Sequence, residues 1–202
     1  MIKDFIFDMG QVLVDFNIRA FADRYDISEE DKALLLDLIF EGNADWALCD
    51  WGYMTEDELA EKVCGLVPER LHEAARGMAA HWFEPIIPIP GMADVARRIK
   101  EAGYGLYLLS NAGSKHNYYW QFVPGHEYFD GVVASANEKL VKPQPEIYRL
   151  CLDRFGLKAD ECLFTDDRET NLAGAEVCGI HTVIFRGRED FLRRIAQMGI
   201  VI

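Results

Sequence analysis

No run of Lys or Arg occurs in this 202-residue sequence: 21 basic residues are scattered among 34 acidic ones, for a formal net charge of -13. Without a positive stripe to neutralise a phosphodiester backbone, nucleic acid is not an expected partner. The same acidity repels anionic ligands at long range, so a phosphate site must build its own positive field from lysine, backbone amides and a metal. Paired cysteines are also missing. Cys49, Cys64, Cys151, Cys162 and Cys178 are odd in number, dispersed and never in C-x-x-C spacing, which excludes a zinc or dithiol motif and reads as reduced core residues. His116, His126 and His181 lack metal-ligand spacing and are read as surface or core residues. Met1-Ile2-Lys3-Asp4-Phe5 is not a basic region leading into a long apolar stretch, and no segment has the roughly 20 apolar residues of a membrane span. A cytoplasmic chain with no membrane partner is expected. Internal repeats and low-complexity tracts are absent.

What is present is a sequence half hydrophobic and about a quarter charged, enough for one domain with a modest insertion. Phe5-Ile6-Phe7 is a short apolar run ending at Asp8 and then Gly10, as in a buried parallel strand opening into a loop. Similar runs cover 104–109, ending at Ser110-Asn111; 131–134; 162–165, ending at Asp166-Asp167; and 181–185. Between them, 92–102, 145–155 and 170–178 carry apolar residues at helical spacing, each with a glycine just beyond (Gly103, Gly156, Gly179). Alternating strands and helices predict an α/β fold: a Rossmann-like, doubly wound parallel sheet. In such sheets ligands sit beyond the carboxyl ends of the strands, which would bring Asp8, Ser110 and the Asp166-Asp167 pair into one pocket.

Residues 17–88 break the alternation with helical patterns and no intervening strand, predicting an inserted all-helical cap, with residues 1–16 and 89–202 forming the core. Ser28-Glu29-Glu30-Asp31 and Thr55-Glu56-Asp57-Glu58 read as helix starts, the second as a capping box. The Pro-rich stretch 85–90 returns the chain to the core. Trp46, Trp51, Trp82 and Phe83 are candidates for substrate contact, though most read better as the insertion's own core. Arg19 is a candidate for a second anionic group but reads better as a solvated helix residue. Segment 117–120 serves equally as pocket edge or as helix packing, and the final helix, 190–198, reads as scaffold.

Phe7-Asp8-Met9-Gly10-Gln11-Val12-Leu13, Leu108-Leu109-Ser110-Asn111, Lys142-Pro143 and Phe164-Thr165-Asp166-Asp167 with Asn171 resemble, in order and spacing, the four motifs of the haloacid dehalogenase-like hydrolases. The resemblance spans nearly the whole chain, and that family places its mobile cap where the helical insertion lies. The Asp-x-Gly form of the first motif looks closest to small bacterial phosphatases acting on sugar phosphates such as α-glucose 1-phosphate. It implies a magnesium-dependent phosphatase in which Asp8 attacks phosphorus, splitting one hard displacement into two easier ones. It further implies that Asp8, Asp166, Asp167 and the Gly10 carbonyl hold Mg²⁺, that Ser110 and the Asn111 amide hold phosphate oxygens, and that Lys142 counters transition-state charge. Lys139 is the nearby competitor of Lys142, but Pro143 follows Lys142 as the family pattern has it. Asn171 would orient Asp167 or lie behind the metal, or simply cap its helix. The expected partner is a small phosphorylated metabolite, and the expected state a monomer or weak homodimer.

One departure matters. Most phosphatases of the family carry a second aspartate two residues after the nucleophile, as general acid and base, and here Gly10 stands in its place. Such a group contributes roughly a hundred- to ten-thousand-fold in rate. A good leaving group, or a cap acid such as His81 or Asp50, would have to substitute. Two alternatives follow: a 2-haloacid dehalogenase, which needs neither that acid nor a metal, and a catalytically silent phosphate-binding protein. Three clustered carboxylates with no ion to offset them argue against the dehalogenase.

Overall fold

The computed structural model describes residues 1–41 and 45–202; residues 42–44, inside the 17–88 segment, lie outside the described residues. Five parallel strands form one sheet: β1 (Asp4–Phe7), β2 (Gly105–Ser110), β3 (Gly131–Ala134), β4 (Cys162–Asp166) and β5 (His181–Ile184), in the order β3-β2-β1-β4-β5. Each is one of the predicted apolar runs, with ends shifted by a residue at most. Both faces of the sheet are covered, and the pleat assigns alternate residues to opposite sides. Phe5, Phe7, Leu106, Leu108 and Leu163 enter one apolar cluster; Ile6, Leu109, Val133 and Phe164 enter the other.

The helices complete these clusters. On one face lie α6 (Met92–Glu101), through Val95, Ala96 and Ile99, and α11 (Arg188–Gln197), through Phe191 and Ile195. On the other lie α9 (Pro145–Phe155), through Ile147, Tyr148 and Cys151, and α10 (Glu169–Val177), through Leu172 and Ala175. Pro145 opens α9 where its missing N–H costs nothing, and Gly156 closes it at φ +66°, a left-handed conformation that a Cβ would disfavour.

Between β1 and α6 the chain runs through five α-helices with no strand among the described residues: α1 (Ile18–Ala22), α2 (Glu29–Leu36), α3 (Asp45–Asp50), α4 (Glu56–Cys64) and α5 (His72–Ala80). Ser28 caps α2 by accepting the Asp31 N–H at 3.1 Å. The Thr55–Glu58 capping box is formed: Thr55 N–H donates to Glu58 at 2.8 Å and Glu58 N–H to Thr55 Oγ1 at 3.1 Å. A π-helical turn at Asp37–Glu41, unforeseen from the sequence, continues α2. Chain entry and exit lie side by side: Val14 bridges Pro88, Asp15 N–H donates to Ile87 O and Ile89 N–H to Leu13 O, both at 2.8 Å.

The short helices α7 (His116–Tyr119) and α8 (Ser135–Glu138) follow β2 and β3. No helix among the described residues is long and apolar enough to cross a membrane.

Candidate active site

Register brings the chemistry together. Phe7 pairs with Leu108 on one side and Thr165 on the other, so Asp8 and Asp166 leave the sheet at the same level and Ser110 follows one residue beyond. The chain builds β2 and β3 on one side of β1 and then returns to add β4 on the other. The gap between β1 and β4 is thus the switch point where doubly wound sheets bind ligands. Asp8 stands at its mouth, fixed by its N–H donating to Thr165 O at 3.0 Å.

Lys142 links the two strand ends. Its ammonium lies 2.8 Å from Asp8 Oδ1 and 2.7 Å from Asp166 Oδ2, and its side chain is 1% exposed. Burial opposes the lysine's charge, but the two carboxylates outweigh it and raise its pKa above the ordinary value. Burial likewise pushes the Asp8 carboxyl up to about 6; Lys142 pulls it down, and the charge of Asp166 adds to the rise. Asp167 is also raised, by burial and then by Asp166. Asn111 sets the lysine's backbone in place: its Nδ2 donates to Lys142 O at 3.1 Å and its Oδ1 accepts from Lys142 N–H at 2.8 Å. Lys139 points elsewhere, with its ammonium 5.4 Å from the centre of the Tyr53 ring.

Asp166 is wholly buried, and the protein satisfies both its oxygens. Oδ1 accepts from Arg168 N–H at 2.9 Å, Oδ2 from Lys142, and Asn171 Nδ2 lies 3.0 Å from each. Asn171 therefore holds Asp166, not Asp167. Asp8, Asp166 and Asp167 each offer an oxygen within 4.8 Å of the others. Three hard, anionic donors clustered in this way suit Mg²⁺ and not a soft metal. With Asp166 engaged so fully, Asp8 and Asp167 are the oxygens freest to turn toward an ion.

These groups open into a cavity of about 360 Å³. Asp8, Gly10, Asn111, Lys142, Asp167 and Asn171 line it at the sheet end; Phe16, Phe40, Trp46 and Trp82 line it from the insertion side. The aromatic wall is also packing: Phe40 and Trp46 have ring centres 4.7 Å apart, Phe16 and Trp82 4.9 Å. Ser110 is not among the lining residues. It is 1% exposed, and its hydroxyl is turned to Asn111 O at 3.4 Å, so the loop beyond it, 111–113, faces the cavity instead.

Other candidates fall away from this space. Trp51 stacks on Tyr53, and Phe83 is buried against Tyr119 and Trp82. Arg19 is exposed and paired with Asp23 and Glu29. His81 is half exposed beside Glu84, and His126 meets Val123 O. His116 is buried with both ring nitrogens unpartnered, and burial lowers its pKa to about 4. Within 117–120, only Tyr119 lines the cavity.

Two acids from the insertion do reach it: Asp50 and Glu56. Sequence reasoning saw Glu56 only as part of a helix start. Its side chain turns inward, 2% exposed, to accept from Ser114 Oγ at 2.6 Å and Lys115 N–H at 3.1 Å. Arg168 also lines the cavity, and nothing in the sequence marked it beyond its place next to Asp167.

Known proteins resemble this chain in sequence and in fold. A family model described as "haloacid dehalogenase-like hydrolase" matches residues 2–179. The chain is 30% identical over 108 residues to a glyceraldehyde 3-phosphate phosphatase of Pyrococcus abyssi, covering 52% of this chain and 44% of that protein. It is 27% identical over 102 residues to (S)-2-haloacid dehalogenase 4A of Burkholderia cepacia, covering 50% and 44%. Matches to eight curated relatives span 9% to 58% of those proteins' lengths. In fold, the chain superposes with a TM-score of 0.74 and 23% identity on a HAD family enzyme from Bacteroides thetaiotaomicron in complex with magnesium and inorganic phosphate, covering 96% of this chain and 99% of that one. With the model match running through all four motifs, this chain belongs to the haloacid dehalogenase-like hydrolases.

Proposed function

We propose that this hydrolase is a magnesium-dependent phosphatase that cleaves a small phosphate monoester, with a sugar phosphate favoured, through an aspartyl-phosphate formed on Asp8. The observation that carries this reading is the Lys142 ammonium held between Asp8 and Asp166, with Asp167 completing a three-carboxylate cluster at the mouth of the cavity. A bound Mg²⁺ would offset the charge between the carboxylates and the phosphate, held by Asp8, Asp167 and the Gly10 carbonyl, with Asp166 behind them. Asp8 attacks phosphorus in line with the leaving oxygen. Lys142 and the Asn111 amide take the phosphoryl oxygens as negative charge develops on them. Ser110 supports that loop from below. Asn171 keeps Asp166 oriented, as groups behind a metal site do.

The insertion, residues 17–88, serves as the cap that excludes water and reads the rest of the substrate. Apart from Lys142 and Arg168, no cationic side chain lines the cavity among the described residues, which suits a neutral polyol better than a second anionic group. Phe16, Trp46 and Trp82 give that polyol aromatic faces. The enzyme would act in the cytoplasm with its five cysteines reduced.

A 2-haloacid dehalogenase is the second reading, favoured by Gly10 in place of the acid that ester cleavage uses. Asp167, half-buried beside two other carboxylates, has no role in that chemistry. Turnover of a panel of phosphate monoesters with Mg²⁺, lost with chelator and in Asp8→Asn, is the expected result. Halide release from 2-haloacids that persists in chelator would favour the second reading.

A further inference from the structure

We propose that Asp50, at the C-terminal end of α3, is the general acid and base that the nucleophile loop lacks, protonating the leaving oxygen and then activating the attacking water. The assignment rests on the phosphatase reading above.

The inference begins with how Asp50 is held. It belongs to the helical insertion, yet its backbone carbonyl accepts a 2.6 Å hydrogen bond from Ser135 Oγ on the core side. Ser135 is completely buried, and the same oxygen accepts the Ala112 N–H at 2.9 Å, beside the loop that faces the cavity. Two residues later Gly52 adopts φ +69°, and a Cβ there would lie 2.1 Å from the carbonyl oxygen of Ala136. Glycine is what lets this turn press against α8. Asp50 is thus docked on the catalytic framework at two nearby points, and its position relative to Asp8 does not hang on the linkers alone.

Its side chain is the acid left available. Asp50 lines the same cavity as Asp8 and Lys142, and among the described residues no hydrogen bond or ion pair engages its carboxylate. Glu56, the other acid on that side, has its oxygens committed to Ser114 and Lys115. His81 lies outside the cavity. Burial dominates the environment of Asp50; Lys142 and Arg168 pull its pKa down, while Asp8 and Glu56 push it up. The outcome is a carboxyl raised to about 7, able to give and take a proton near neutral pH.

The proton balance closes without a further reactant. As the Asp8 oxygen bonds to phosphorus and the phosphorus–leaving-oxygen bond breaks, the Asp50 proton passes to the leaving oxygen and the alcohol departs. The Asp50 carboxylate then takes a proton from water as that water attacks the aspartyl-phosphate. The bond between phosphorus and the Asp8 oxygen breaks, releasing phosphate and restoring the Asp8 carboxylate and the protonated Asp50.

p-Nitrophenyl phosphate with Mg²⁺ separates the two steps, because its leaving group needs no proton whereas hydrolysis of the intermediate still needs a base. Asp50→Asn is expected to release about one p-nitrophenol per enzyme in a burst, then turn over roughly a hundred- to ten-thousand-fold more slowly than wild type. Asp8→Asn should show neither phase. The burst itself reports a folded site with a working nucleophile. Steady turnover of Asp50→Asn within about threefold of wild type overturns the assignment, as does loss of burst and turnover together. If wild type itself leaves the ester intact, the phosphatase reading falls and this assignment falls with it. An active wild type beside an unaffected Asp50→Asn sinks only the assignment.

Discussion

Asp8→Asn should make the metal-free protein more stable. Asp8 is 8% exposed, and burial lifts its carboxyl from an ordinary 3.8 to about 6 even with Lys142 at 2.8 Å. An acid whose pKa is raised on folding contributes stability that is fully present below the unfolded value, near pH 4, and lost as pH climbs through about 6. At about 1.4 kcal/mol per pH unit, ionised Asp8 costs the folded state about 3 kcal/mol at pH 8. Asparagine keeps the shape and can still accept from Lys142, but carries no charge, and the lysine retains Asp166 as its counter-ion. Urea unfolding of both proteins in chelator should show Asp8→Asn more stable by about 3 kcal/mol at pH 8, the gap shrinking between pH 6 and 4. Equal stabilities at pH 8, or a gap that does not narrow on acidification, would refute the argument that burial dominates this carboxyl.

Three further outcomes test other parts of the site. Asn171→Ala removes the amide that meets both oxygens of Asp166, and should raise the Mg²⁺ concentration needed for half-maximal activity by about 10- to 100-fold in a metal titration. Gly52→Ala forces a Cβ into the Ala136 carbonyl at positive φ; it should cost at least about 1 kcal/mol in urea unfolding and slow turnover by unseating Asp50. Glu56→Ala strips the acceptor from Ser114 and Lys115; at about 1.5–3 kcal/mol per hydrogen bond to a charged group, the insertion should loosen first, seen as a Trp46 and Trp82 fluorescence change below the main unfolding transition.

The core was legible in the sequence because its signals are local. Phe5-Ile6-Phe7 and Cys162-Leu163-Phe164 are continuous apolar runs that only a doubly covered sheet buries, and each ends in the aspartate that a strand terminus then presents. Gly103, Gly156 and Gly179, all at positive φ, mark the helix ends because left-handed backbone favours that residue. Pairwise contacts between distant segments were not legible. Whether Asn171 holds Asp166 or Asp167 depends on a rotamer one turn into α10. Choosing Asp50 over His81 needs the Ser135 contact, 85 residues away in sequence. Glu56 was hidden because a capping-box helix start looks the same whether its first residue faces water or Ser114, 58 positions later. The π-helical turn at 37–41 carries no compositional mark at all.

The bridge between Val14 and Pro88 has a consequence for how such a molecule can change. Because the insertion leaves and rejoins the framework at touching points, the sheet experiences it as a closed loop whose ends are already paired. The entropy of closing a loop rises only slowly with its length. Lengthening or shortening the loops between the insertion's helices therefore taxes the framework little, whereas the helices themselves share an apolar cluster with Phe5 and Phe7 and must keep their buried faces. Length changes between those paired ends are absorbed by the loops, so long as the shared apolar faces and the contacts to Ser135, Ser114 and Lys115 are preserved.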